Sequence, residues 1–294
     1  MRPSLGRLFS SSAPPNLQHE SSSTLIAGRA DGFGMMFCNF LYHASVARKL
    51  KKDLVLVWPD RMPHLGRAHE CGLDLLFKDF TIAFRTIPPG VVKPTQLQKV
   101  ESDSFLRHIQ DLRTEFGQLT ENDRIQEIVR QMPVYDYSIH ARLGDVEQKP
   151  LQHGGRHGRY FPLAGYKSVI SKILDNEPLA RIFLASNSPQ AICLKQEFPD
   201  NVTTESELLS AHQSVDSESL VAIWLVIRQL SKSRHIISPM HSSISLLGRV
   251  TSAVPVRHST PAEFLSIEAI ITELHQVYSS QAMQFFLSQR LASS

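Results

Sequence analysis

The sequence predicts an α/β protein built on two parallel sheets. Three observations carry that expectation: short runs that are apolar at every position, such as LVLV (54–57) and IFLA (182–185), amphipathic segments between such runs, and their alternation along the chain. A strand with no polar face is covered on both sides. Helix layers over a parallel sheet provide that cover. The 294 residues suffice for about two domains. The expected division is a tail at 1–24, an N-terminal Rossmann-like domain at 25–130 and a C-terminal domain at 131–294, their parallel sheets facing a cleft.

The elements follow in order. Residues 1–24 are rich in Ser and Pro, with Glu20 the one acid, and hold too few apolar side chains to offset the entropy of ordering. A flexible tail is expected, although Arg2, Arg7 and the serines faintly resemble an organellar transit peptide. From Thr24, TLIAG reads as a strand, RADGFG as a glycine turn, and Met35 to Leu50 as a helix. Asp53 to Trp58 gives a second strand stopped by Pro59, and Thr81 to Ile87 a third ended by Pro88-Pro89-Gly90. Residues 102–131, with Leu and Ile three and four apart among charges, read as two amphipathic helices.

The second half alternates more cleanly. VYDYSIHAR is a strand, Leu163 to Leu174 a helix, RIFLAS a strand and Pro189 to Phe198 a helix; Glu218 to Leu230 is a helix, RHIIS a strand, a helix begins near Ser242, and VPV (254–256) is a short strand. Residues 261–292 read as helical, their stripe of Phe264, Leu265, Ile267, Ile270, Ile271, Leu274 and Val277 packing back across the domains.

Composition excludes several classes of function. Lys and Arg outnumber Asp and Glu by 31 to 28, a balance that asks for no nucleic-acid partner. Cys38, Cys71 and Cys193 are odd in number and form no CxxC, so reduced thiols are expected in place of a disulfide framework or zinc ribbon. No window holds the roughly 18 apolar residues of a membrane span, and the N-terminus lacks a secretory apolar core; a soluble, cytoplasmic protein is expected. GK[ST], GxSxG, HExxH and DxD are all absent. Kinase, serine-hydrolase, zinc-protease and metal-held nucleotide-sugar chemistry lose support.

Ligands of open parallel sheets bind beyond the C-terminal strand ends, among loops and helix N-termini. Four segments fall at such positions. In Gly28 to Gly34, glycines between strand and helix let the backbone approach a phosphate or sugar. As a dinucleotide fingerprint this turn is poor, because Phe37 replaces the third glycine, although Asp53 stands near the ribose-binding distance in sequence. In His140-Ala141-Arg142-Leu143-Gly144-Asp145, strand alternation sends His140 and Arg142 to one side, and a guanidinium fork matches a diphosphate. The alternative there is an Arg142–Asp145 surface ion pair. His153 to Arg159 is a glycine-rich basic loop that either folds over an anion or stays solvated; its two histidines lack the helix and third ligand of a metal site. Ser238 to Ser245 packs hydroxyls at a helix start, where they cap the helix or share its N–H groups with phosphate.

Taken in this order, the segments resemble the GDP-fucose-dependent fucosyltransferase superfamily, which includes α-1,2-, α-1,6- and protein O-fucosyltransferases and bacterial nodulation fucosyltransferases. Gly32-Phe33-Gly34-Met35-Met36-Phe37 is similar to its G-x-G-N-x-x-F segment, and His140 to Asp145 to its H-x-R-R-G-D signature. Phe183-Leu184-Ala185-Ser186-Asn187-Ser188-Pro189 is similar to F-x-A-T-D-D-P, and Ser238 to Ser245 to S-x-x-S-S-F-S. The likeness spans roughly residues 25–250. It implies a GT-B fold, no metal, no cofactor besides the donor GDP-fucose, and a glycan or other hydroxyl acceptor.

By the same likeness Arg142 neutralises the departing β-phosphate. Ser186, Asn187, Ser242 and Ser243 line the nucleotide pocket, Gly32, Gly34 and Ser238 join them as substrate-binding residues, and His140 supports the site. Met35 replaces the expected Asn, Leu143 a second Arg and Asn187 a common Asp. Arg156, His157 or Arg159 is then the expected source of the missing second positive group. Asp31, Asp145 and Glu147 are candidate bases for the acceptor hydroxyl, and the sequence does not choose among them. Two other readings stay open: an NAD(P)-dependent oxidoreductase built on the Gly28 to Gly34 turn, and a non-catalytic nucleotide- or sugar-binding relative.

Overall fold

The first strand, β1 (Thr24–Gly28), leads into helix α1 (Phe33–Leu50), followed by β2 (Asp53–Val57), β3 (Phe77–Phe80) and β4 (Phe84–Ile87). The structure is a computed structural model, and it describes residues 24–28, 32–59, 72–80, 83–87, 102–143, 161–186, 188–212, 215–216, 219–239, 242–266 and 268. β1, β2 and β4 form a parallel sheet in that order, with Thr24 opposite Asp53 and Gly28 opposite Val57. α1 is the crossover that parallel pairing requires. It starts where Gly32 is extended and its carbonyl accepts from the Met35 and Met36 N–H groups. It stops at Lys51, which is left-handed at φ 53° and returns its N–H to Ala47 and Arg48.

Next come α2 (Ser102–Arg107), α3 (Ile109–Phe116), β5 (Leu119–Glu121) and α4 (Asp123–Gln131). Two helices were expected here and three are found. Gly117 closes α3, and Asn122 caps α4: its side chain accepts from Ile125 N at 2.9 Å and donates to Leu75 O at 2.7 Å. Between them β5 pairs antiparallel with β3.

The second sheet takes β6 (Tyr137–Ala141), then α5 (Leu163–Asn176), β7 (Ile182–Ser186), α6 (Ile192–Glu197), β8 (Val202–Thr204), α7 (Glu205–Ser210), α8 (Leu220–Ser231), β9 (His235–Ile237), α9 (Ser243–Val250) and β10 (Arg257–Ser259). All five strands are parallel, in the order β10-β9-β6-β7-β8. The expected α/β class with two parallel sheets is the architecture found. The last strand lies at 257–259, not 254–256, because its register is set by β9, with Arg257 opposite His235.

Side-chain alternation divides the core between the two faces of this sheet. Ile139, Ile182, Leu184 and Ile237 pack with Tyr166, Val169 and Ile170 of α5. Phe183, Ala185 and Ile236 face the larger cluster, which continues through α8 and α9 to α1 and the first sheet. Trp224 of α8 lies at its centre, fully buried, with the rings of Phe33, Phe37, Phe77 and Phe116 centred 5.2–6.2 Å away. Truncating such a side chain to alanine costs about 3–5 kcal/mol. Its indole N–H donates to Glu121 at 2.6 Å, so the polar end is also satisfied. Of the expected C-terminal helices, the described part is a short turn, Pro261–Phe264, opened by a capping box between Thr260 and Glu263; Ile267, Ile270, Ile271, Leu274 and Val277 lie outside the described residues.

Candidate functional site

Strand order fixes where a crevice opens in a parallel sheet. From β6 the chain moves outward through β7 to β8, then returns to place β9 on the other flank of β6. The order therefore reverses at β6, and the C-terminal ends of β6 and β9 diverge into loops on either side of a crevice. Arg142 follows β6 directly, half-buried, and the segment from Ser238 follows β9.

His140 ties these two chain segments together. It is 7% exposed, and its Nδ1 lies 2.7 Å from Ser242 Oγ and 3.0 Å from Ser245 Oγ. Burial, together with the neighbouring Arg142 charge, pushes the imidazole pKa down to about 3, so the ring is neutral near pH 7. Ser242 also caps α9, accepting from Ser245 N at 3.2 Å. The hydroxyl thus does the capping that the sequence offered as one of two roles, while holding the helix start against β6.

The start of α1 arrives at the same place. A Cβ built on Gly34 would lie 2.6 Å from Ser243 Oγ, inside contact distance, so only glycine allows the first turns of α1 and α9 to approach this closely. Neither first turn contains an acid. Two helix N-termini, with the partial positive charge of their free N–H groups, therefore meet at the end of the sheet where Arg142 leaves β6.

At the neighbouring strand end, Ser186 accepts from Ser188 N at 3.2 Å and donates its own N–H to Glu205 at 3.2 Å. Glu205 is the residue that sequence reasoning missed. A single glutamate opening a helix reads as a solvated charge, and no local pattern reveals burial produced by the tertiary fold. Here that burial pushes its pKa up to about 7. On the other flank, Ser238 is fully buried and its hydroxyl lies 2.9 Å from His258 Nε2.

The fold brings together Gly32, Gly34, His140, Arg142, Ser186, Ser242 and Ser243 at the C-terminal strand ends and helix starts. Ser238 is nearby but enclosed. Asp31, Asp145, Glu147, Arg156, His157, Arg159 and Asn187 lie outside the described residues. Asp53 requires a correction. It begins β2 opposite Thr24, so it lies at the far end of the strands from the glycine turn, about four residues or roughly 13 Å away. Spacing along the chain suggested a ribose ligand; the direction of the strand removes it. Cys38 and Cys193 are free thiols, and Cys71 lies outside the described residues. Among the described residues no group of three or more His, Cys, Asp or Glu is placed to hold a metal, and no helix is long and apolar enough to cross a membrane.

The fold is α/β, with the start of α9 and Arg142 at the point where the order of the parallel strands reverses. No family model and no curated protein matches the sequence. Solved structures do resemble the fold. The fucosyltransferase NodZ from Bradyrhizobium is 14% identical, over 79% of this chain and 94% of that one, with a TM-score of 0.47. POFUT1 in complex with GDP-fucose is 9% identical, over 83% and 98%, with a TM-score of 0.49.

Proposed function

We propose that this chain is a glycosyltransferase that moves fucose from GDP-fucose to a hydroxyl of a glycan or similar acceptor, with inversion at the sugar carbon and without a metal ion. The observation that carries the reading is the gathering of positive potential at one edge of the sheet: Arg142 leaves β6 beside the starts of α1 and α9, neither of which has an acid in its first turn. The four motifs that resemble the fucosyltransferases include the same residues.

The chemistry asks for such an edge. As the sugar carbon parts from the diphosphate, negative charge grows on the β-phosphate oxygens, and fixed N–H dipoles with a guanidinium stabilise that charge without reorganising. His140 stays neutral and holds Ser242 and Ser245, which keeps α9 aimed at the anion. It is a positioning residue. The proton of the acceptor hydroxyl passes to an acid of the glycine turn or the loop after Arg142, with Asp31 and Asp145 the proposed groups.

The test is thermal unfolding with a panel of nucleoside diphosphates in the presence of a chelator, on the parent and on Arg142→Ala. GDP at about 100 times its Kd adds about 2.7 kcal/mol, which raises the midpoint by several degrees. That gain disappears in the variant. A parent protein that none of the diphosphates stabilises overturns the reading.

A further inference from the structure

We propose that Glu205 selects the base of the nucleotide, its carboxylate accepting the paired N–H groups of guanine. The inference rests on the reading above and names the residue that makes the donor a guanine nucleotide.

With the diphosphate at Arg142 and the starts of α1 and α9, the nucleoside extends along the C-terminal sheet edge in one of two directions. Toward β9 and β10 the way is closed: Ser238 is fully buried and hydrogen-bonded to His258, and Ser238 N donates to Ser259 O at 3.0 Å. Toward β7 and β8 the edge ends in Ser186 and Glu205. Adjacent strands lie about 4.8 Å apart, so Glu205, which follows β8, stands about two strand spacings from Arg142, which follows β6.

The carboxyl is held for a ligand rather than by a cation. Its one hydrogen bond among the described residues is the Ser186 N–H at 3.2 Å to Oε2, and no Lys, Arg or His pairs with it there. A carboxylate offers about four acceptor positions on two oxygens, so most of its capacity is unspent. Burial outweighs the single Ser186 N–H bond and pushes its pKa up to about 7. Guanine presents N1–H and N2–H side by side on one edge and fits a carboxylate with two parallel bonds. Adenine, cytosine and uracil each offer a single donor group on that edge. A fixed carboxylate therefore rewards guanine and penalises the rest.

The experiment compares dissociation constants for GDP, inosine diphosphate and ADP on the parent, Glu205→Gln, Glu205→Asp and Arg142→Ala. Inosine diphosphate keeps N1–H and lacks the 2-amino group, so it isolates one of the two bonds. The glutamine oxygen still accepts from Ser186 N, which preserves the fold while removing the charge; the aspartate variant keeps the charge and withdraws it by one methylene. The parent is expected to prefer GDP to inosine diphosphate by roughly tenfold or more, and Glu205→Gln to lose roughly 10- to 100-fold in GDP affinity and most of that preference. Retention of the parent preference in both Glu205 variants, with GDP binding still dependent on Arg142, overturns the assignment and leaves the transferase reading standing. A parent that binds no diphosphate overturns both.

Discussion

The two ends of the five-stranded sheet each hold a buried histidine among polar groups, yet their surroundings differ in charge. At the C-terminal end His140 reaches two serine hydroxyls, and around it stand Arg142 and two helix starts without acids. At the N-terminal end a cavity of about 300 Å³ opens between Tyr137, Lys172, Glu177, Arg257 and Glu263. Its charges are balanced and its carboxylates spent: Tyr137 donates to Glu177 at 2.6 Å, and Glu263 closes the capping box with Thr260. Behind it the His235 ring lies tilted with its centre 5.5 Å from that of Tyr137, its Nε2 buried with no hydrogen bond among the described residues.

The largest expected effect comes from removing Arg142. Arg142→Ala should lower the transfer rate by on the order of 10²–10³, the usual worth of one preorganised donor to a developing anion. Steady-state rates measure it, and a change under threefold would show that the guanidinium is not at the reacting centre.

Next comes the contact between helix starts. Gly34→Val places carbon where Ser243 Oγ now sits, so α1 and α9 must separate, at a cost of about 1–3 kcal/mol in unfolding free energy. Urea unfolding reads it directly. A variant as stable as the parent would mean that the two helices do not meet.

The histidines divide the two ends by sign. His140→Phe takes the imidazole nitrogen from the Ser242 and Ser245 hydroxyls and should destabilise, whereas His235→Phe removes a polar atom with no partner among the described residues and should be neutral or stabilising by about 1 kcal/mol. Equal losses in both would contradict the hydrogen bonding described. Both imidazoles, with that of His258, are held low, at about 3 for His140 and about 4 for the other two, mainly by burial. The unfolded chain therefore takes protons first. Their contribution to stability is complete above about pH 6.5 and is lost as pH falls toward 4 and then 3, which a series of urea midpoints against pH will trace.

The smallest effect is expected at the balanced end. Burial and the bond to Glu177 push the Tyr137 hydroxyl up to about 12, so it stays protonated throughout the working range. Tyr137→Phe removes one partly exposed hydrogen bond, costs less than about 1 kcal/mol and leaves nucleotide affinity unchanged. Weakened GDP binding in this variant would make the far cavity part of the site.

Much of this molecule is legible in its residues because the informative patterns are local. Fully apolar runs flanked by amphipathic segments announce buried parallel strands, and β1, β2, β6, β7 and β9 lie within the segments read as strands. The short strands β3, β5 and β8 escaped, because three or four residues carry no period and β3 pairs with a strand some forty positions away. Arg142 and the serines of α9 were visible for the same local reason: a strand end followed by a turn, and hydroxyls before a helix.

The sequence by itself determined the α/β class, the alternation and the residue types available for an anion, since each depends on a few neighbouring positions. Only the tertiary structure decided that Gly34 abuts Ser243, that His140 joins β6 to α9, that Asp53 lies at the wrong end of its strand and that Glu205 is half-buried against the end of β7. Those facts depend on strand order and register. Contacts made across a hundred residues, and the dielectric they create around a side chain, are properties of the packed interior and of no single stretch of chain.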